Sequence, residues 1–268
     1  MSEMELRSIG PPFAVEVRGL DLNEPLAPEV GTALEEALHA HGLLLFRDQA
    51  LSDDAQVRFM AQFGRFASGG AQDATGPATY MSSREGQYGV GEFDFHSDMV
   101  WTPYPVKVIA LYGVEVPEEG GDTLFADAAG VLDRLPADLV TTLSSCDIRV
   151  TGGRGVQRVC PVIERHAKTG RPYINVLRAR HRRASEGEWD ELLGISPAEA
   201  ASILDVVFGE LYHADHIYRH QWRVGDLVLW DNRLLQHART PFDPSQPRVL
   251  RRCALADDMD PDSVPLDG

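Results

Sequence analysis

Phe13, Val15 and Val17 alternate with polar neighbours up to Gly19, the period of a half-buried strand. Residues 28–41 read as a helix that Gly42 ends. Leu43, Leu44, Leu45 and Phe46 form a continuous apolar run, short enough for a buried strand. Residues 48–63 return to helical spacing through Val57, Met60 and Phe63, with Gly64 as the stop. From 67 to 92 the periodicity is lost in Gly, Ser, Thr and Asp, which predicts a long loop acting as an active-site lid. Strand character returns at 105–116. A Gly120–Gly121 turn then leads into a short strand. A helix is expected over 131–143, and irregular, basic chain over 149–172.

Further on, Ser196 is an N-cap, Pro197 sits at N1 and Glu199 completes a capping box. The stripe Ile203, Leu204, Val207 and Leu211 makes that helix amphipathic. Short strands follow near residues 216–222, 226–232 and 248–255, and a loose acidic tail is expected over 257–268. Many short strands with a few flanking helices predict a mainly β fold, a barrel or jelly roll, in a single domain over 1–268. No repeat, GxGxxG, P-loop, CxxC or HExxH is present.

Composition narrows the partners. The 268 residues carry 25 Lys+Arg against 41 Asp+Glu, a net charge of −16, with 43% hydrophobic residues. Such a chain can bury a sizeable core, and its charge argues against nucleic acid or an anionic membrane as partner. No apolar run is long enough to span a bilayer, and the start lacks the pattern of a signal peptide. Cys146, Cys160 and Cys253 are an odd, sparse set, expected as reduced thiols in a cytoplasmic protein.

Chemistry enters at His96–Ser97–Asp98, flanked by Phe93, Phe95, Met99 and Trp101. On an extended strand, residues i and i+2 share a face about 7 Å apart, so an imidazole and a carboxylate converge on one ion. Alone, HxD is more often a surface pair or a turn. A third ligand, for which His237 after an apolar strand and polar turn is the candidate, would complete a 2-His-1-carboxylate face suited to non-haem Fe(II). Near the C-terminus, period-2 alternation puts Arg248, Leu250, Arg252 and Ala254 on one face. It puts Val249, Arg251, Cys253 and Leu255 on the other, making Arg251 a surface or interface residue. An inward Arg suits a bidentate clamp on a carboxylate; the alternative is a structural salt bridge.

These motifs resemble the taurine and 2,4-dichlorophenoxyacetate dioxygenase family. The resemblance spans roughly residues 5–256, through GLDLNEPL, HGLLLFRDQALSDDAQVRFMAQFGRF, FHSDMVW, EEGGDTLFAD, WRVGDLVLWDNRLLQHART and PRVLRRCAL in order. It implies a double-stranded β-helix of the jelly-roll, cupin-like kind, with Fe(II) as cofactor and 2-oxoglutarate and O2 as cosubstrates. By that resemblance His96, Asp98 and His237 are the metal ligands. Thr123 and Arg248 hold 2-oxoglutarate, and Arg252 holds an anionic group of the substrate. Trp230, Asp231 and Asn232 support the loop that carries His237.

The activity implied is hydroxylation of an unactivated C–H bond, with release of succinate and CO2. Desaturation, epoxidation and cyclisation share the same ligands. Asp98 argues against halogenation, since related halogenases carry a small residue there. Glu92 stands where the taurine enzyme has an asparagine, and Arg178 where the family has an aromatic residue. These two departures suggest a small anionic or zwitterionic substrate, above all an amino acid, with sulfonate or aryloxyalkanoate catabolism as the alternative. From a different class, a cupin-like metal-binding module would need the three ligands without Thr123 and Arg248. Relatives are often dimers or tetramers, so a homodimer or homotetramer is the assembly the resemblance suggests.

Overall fold

The computed structural model describes residues 4–67, 77–85, 90–100, 106–151, 157–178 and 190–256. In chain order its elements are β1 (Glu5–Ser8), β2 (Ala14–Arg18), α1 (Pro28–His41), β3 (Leu43–Phe46), α2 (Asp53–Met60), β4 (Ala78–Ser82), β5 (Phe93–His96), β6 (Val106–Glu115), β7 (Thr123–Asp127), α3 (Ala137–Ser144), β8 (Asp147–Thr151), β9 (Gln157–Pro161), β10 (Ile163–Arg165), β11 (Pro172–Ile174), β12 (Asp190–Leu193), α4 (Pro197–Leu211), β13 (Ile217–His220), β14 (Leu227–Asp231), β15 (Leu235–Arg239) and β16 (Val249–Ala256).

Strand alternation sorts the apolar residues into three layers. In β14, Leu227 and Leu229 pack outward against α1 and α2, while Val228 and Trp230 point inward. In β3, Leu44 and Phe46 go out, and Leu43 and Leu45 go in. A strand buried on both faces reads as a continuous apolar run, which is why LLLF and LVLW carry no visible period. These strands belong to a seven-stranded sheet of order β1-β2-β3-β14-β6-β16-β4. Opposite lies a four-stranded sheet, β13-β7-β15-β5, which supplies Phe125, Tyr218 and Leu235 to the shared middle layer. Its outer face is covered by α4 and by strands β8 and β11. Two sheets closed over a common interior form the double-stranded β-helix, and the candidate residues lie at one end of that interior. Among the described residues no helix is long and apolar enough to cross a membrane.

Several boundaries differ from the sequence reading for local reasons. The second helix begins at Asp53 rather than 48, because the Ser52 hydroxyl caps it by accepting from the Ala55 N–H. The stretch 131–143 is a short 3-10 turn at Gly130–Asp133 followed by α3, interrupted by Pro136, which cannot continue a helix. The stretch 149–172 is not irregular: it contributes to β8, β9, β10 and β11, whose partly exposed faces blur the alternation. Within 67–92 lies β4, paired with β16 from Ser82↔Val249 to Ala78↔Cys253. Residues 68–76 and 86–89 of that stretch, Trp101, and the tail 257–268 lie outside the described residues.

Candidate active site

His96 is the last residue of β5, and His237 lies inside β15, not on a polar loop. The two are direct partners in the antiparallel register of β5 and β15. Their rings are 4.1 Å apart between centroids. Asp98 is not on the strand with His96. It lies just past β5, ahead of a turn in which Met99 has φ 60°, and its Oδ1 is 3.5 Å from His96 Nε2 and 3.7 Å from His237 Nε2. All three ligand atoms lie within 4.8 Å of one another. Donors about 2.1 Å from a divalent ion at right angles lie about 3.0 Å apart, so one ion fits with small adjustments.

The protonation states suit a metal. The Asp94 carbonyl can only accept, so His96 Nδ1 is the donor in their 2.9 Å contact, which turns Nε2 toward Asp98 and His237. Burial, reinforced by the neighbouring His96, pulls His237 down to about 3, so its imidazole is neutral. Burial pushes Asp98 up, but Arg252 and the two imidazoles outweigh it and hold the carboxyl well below its usual range. Two imidazoles and one carboxylate form the facial set that leaves positions open on a non-haem Fe(II) ion. Phe93 packs edge-on against His96, and Trp230 edge-on against His237, which limits the tilt of both rings.

The turn between β14 and β15 carries more than the ligand loop. Asn232 accepts from the Asp98 N–H at 3.0 Å and donates to the Asp98 carbonyl at 3.0 Å and the Val106 carbonyl at 2.8 Å. It therefore fixes the segment bearing Asp98, a role missed by reading it only as support for His237. Asp231 Oδ1 accepts from the Arg233 and Leu234 N–H groups, and its Oδ2 meets His166 Nε2 at 3.0 Å, both side chains buried.

Thr123 is the first residue of β7. Its Oγ1 accepts from Trp222 Nε1 at 3.0 Å, which leaves the hydroxyl hydrogen for another partner. Arg248 is 5% exposed, yet it makes no ion pair among the described residues. Its Nε donates to the Gly121 carbonyl at 2.8 Å. Gly121 has φ 65°, and a Cβ there would sit 3.0 Å from Arg248 Cδ and 3.1 Å from Nε, so only glycine lets the side chain lie in this cradle. Burial, then the nearby charge of Arg239, pulls Arg248 down to about 9. A buried cation without a counter-ion is costly, and an anionic ligand removes that cost.

Arg252 shares the inward face of β16 and donates to Asp98 Oδ2 at 2.6 Å. Arg251 faces the other way, as alternation requires, but it is not a surface residue. It is 3% exposed. It donates to Gln56 at 2.6 Å and the Leu51 carbonyl at 2.7 Å, pairs with Asp53, and stacks on Tyr112. The outer face of β16 is covered by α2, which the sequence did not reveal.

Arg178 and Glu92 are differently placed. Arg178 donates to Asp94 at 2.7 Å and lies 4.5 Å over the Tyr212 ring, while Glu92 is exposed. Arg178 thus fixes Asp94, whose carbonyl orients His96. Arg239 escaped the sequence reading. Once β15 is known, its place two residues after His237 is the signal for an inward side chain.

The profile of the Taurine catabolism dioxygenase TauD, TfdA family matches residues 5–254. The chain is 29% identical over 284 residues to an alpha-ketoglutarate-dependent 2,4-dichlorophenoxyacetate dioxygenase of Cupriavidus pinatubonensis, covering 92% of this chain and 96% of that one. It is 26% identical over 275 residues to an alpha-ketoglutarate-dependent sulfate ester dioxygenase of Pseudomonas putida, covering 96% and 91%. Its fold matches a taurine dioxygenase from Burkholderia xenovorans with a TM-score of 0.81 at 23% identity, over 95% of this chain and 91% of the other.

Proposed function

The chain belongs to the TauD/TfdA family of Fe(II)- and 2-oxoglutarate-dependent dioxygenases, and from that premise we propose that its substrate is a small organic anion of the aryloxyalkanoate, sulfonate or sulfate-ester kind. The observation that carries this reading is Arg252. It sits on the same face of β16 as Arg248 and against Asp98, where it presents a guanidinium at the metal face. The amino-acid reading gives way. It needed Glu92 to receive an ammonium group and Arg178 a carboxylate, but Glu92 is exposed and Arg178 is taken by Asp94.

His96, Asp98 and His237 would hold Fe(II). Arg248 and Thr123 would hold the distal carboxylate of 2-oxoglutarate. When bound, the iron with 2-oxoglutarate and O2 supplies the oxidising equivalents that functionalise a C–H bond, releasing succinate and CO2. The chain's own residues supply orientation and charge. Trp222 aims the Thr123 hydroxyl, and the Gly121 carbonyl holds the Arg248 guanidinium. Asn232 fixes the backbone of Asp98. A metal-binding module without 2-oxoglutarate would leave Arg248 buried with no anion to meet, which disfavours that class.

The test is a succinate-release screen over aryloxyalkanoates, alkyl sulfonates, alkyl sulfate esters and amino acids, with product masses separating hydroxylation from desaturation or cyclisation. Succinate released in step with loss of an anion lacking an ammonium group is the expected result. Turnover with amino acids alone would reverse the assignment.

A further inference from the structure

The 2-oxoglutarate end of the interior holds one more cation than the residues assigned above require. Arg239 is directly opposite Thr123 in the register of β15 and β7, and it faces inward like His237 two residues earlier. It is close enough to Arg248 for its charge to depress that group. Neither arginine makes an ion pair among the described residues. Arg239 donates from Nη2 to the Gly91 carbonyl at 2.6 Å and lies 5.6 Å over the Phe242 ring, while its Nε is buried with no partner. A carboxylate that influences Arg248, Asp122, is already engaged: its Oδ2 accepts from Arg219 Nε at 2.6 Å.

Two guanidinium groups brought together, partly desolvated and without counter-ions, repel each other. Protein interiors rarely keep such a pair unless an anion joins it. Thr123 lies opposite Arg239, and its hydroxyl hydrogen is left available by Trp222. Resting on the 2-oxoglutarate reading above, we propose that Arg239 is a second cationic contact for the distal carboxylate of 2-oxoglutarate, closing on it together with Arg248 and Thr123. The carboxylate would then meet one guanidinium from the residue just before β16 and one from β15, in the opposite sheet. The free Nε of Arg239 supplies the donor. The contact to Gly91 ties the same side chain to the chain just before β5, so cosubstrate binding and the strand carrying His96 share one anchor.

The experiment compares two 2-oxo acids on the full-length, Mn(II)-loaded protein by anaerobic calorimetry. One is 2-oxoglutarate. The other is 2-oxopentanoate, which has the same chain length and the same metal-chelating end but lacks the distal carboxylate. Arg239→Met and Arg239→Gln should each weaken 2-oxoglutarate by about 10- to 100-fold and leave 2-oxopentanoate within about threefold of wild type. Arg239→Gln retains a donor for the Gly91 carbonyl, so a purely structural anchor would be spared in that variant. Equal weakening of both ligands, or no weakening of 2-oxoglutarate, overturns the role given to Arg239. If instead the wild type binds 2-oxoglutarate no better than 2-oxopentanoate, it is the parent reading of the pocket that fails.

Discussion

Asn232 grips Asp98 by both polar groups of its backbone, accepting from the N–H and donating to the carbonyl, each at 3.0 Å. The two residues are 134 positions apart in sequence. One comes from the turn after β14, the other from the turn after β5, so the metal-binding carboxylate is placed by the opposite sheet.

Replacing Asn232 with Ala removes these two bonds and the one to the Val106 carbonyl, inside a buried turn. The expected cost is about 2–4 kcal/mol in folding stability by urea unfolding. Mn(II) affinity, read by electron paramagnetic resonance, should fall by about 10- to 100-fold. An unchanged Mn(II) affinity would show that Asp98 keeps its place without Asn232.

Arg251 and Arg252 are neighbours with opposite duties. Arg251→Met strands the buried Gln56 Oε1 and the Leu51 carbonyl, and should cost about 2–4 kcal/mol. The pair with Asp53 adds little to that figure, because Asp53 is half exposed. Arg252→Met should leave the unfolding midpoint close to wild type and spare 2-oxoglutarate chelation, yet abolish substrate-coupled succinate release. If Arg252→Met turns over like wild type, Arg252 serves only to steady Asp98.

Arg248 predicts a pH signature. With the folded, ligand-free group near 9, a carboxylate ligand must recruit a proton above that pH. Affinity for 2-oxoglutarate should be level near pH 8 and fall by up to about tenfold per pH unit above pH 9. The sign for stability is opposite. Between pH 9 and the ordinary arginine range the unfolded chain binds the extra proton, so the ligand-free fold gains stability as pH rises through that window. Calorimetric titration and unfolding of wild type against Arg248→Met isolate both effects, and Arg248→Met should show neither. A wild-type affinity that stays flat to pH 10.5 would show that Arg248 keeps its proton in the ligand-free protein.

The parts of the fold legible in sequence were those with a strong local rule. Gly42 ends α1 at φ 98°, and Ser196 caps α4 by accepting from the Glu199 N–H. Alternation along β16 sorted Arg248 and Arg252 from Arg251 correctly, because one face of that strand lines the interior. Alternation could not say that α2 covers the other face, so Arg251 was read as a surface or interface residue. Likewise His96 and Asp98 were brought together on a premise of extended chain, whereas β5 ends at His96 and the backbone of Asp98 is held by Asn232, far away in sequence. The contact of Arg178 with Asp94 was hidden from the sequence for the same reason. A polar residue near the site shows its chemistry in sequence, but not the partner that already occupies it.

The central claim is that one site binds Fe(II) through His96, Asp98 and His237 and 2-oxoglutarate through Arg248. Anaerobic addition of 2-oxoglutarate to the Fe(II)-loaded protein, followed in the visible spectrum, tests it most directly. A weak charge-transfer band is expected for wild type, with none for His237→Ala and much weaker saturation for Arg248→Met. No band in wild type, or the same titration in all three proteins, would contradict it.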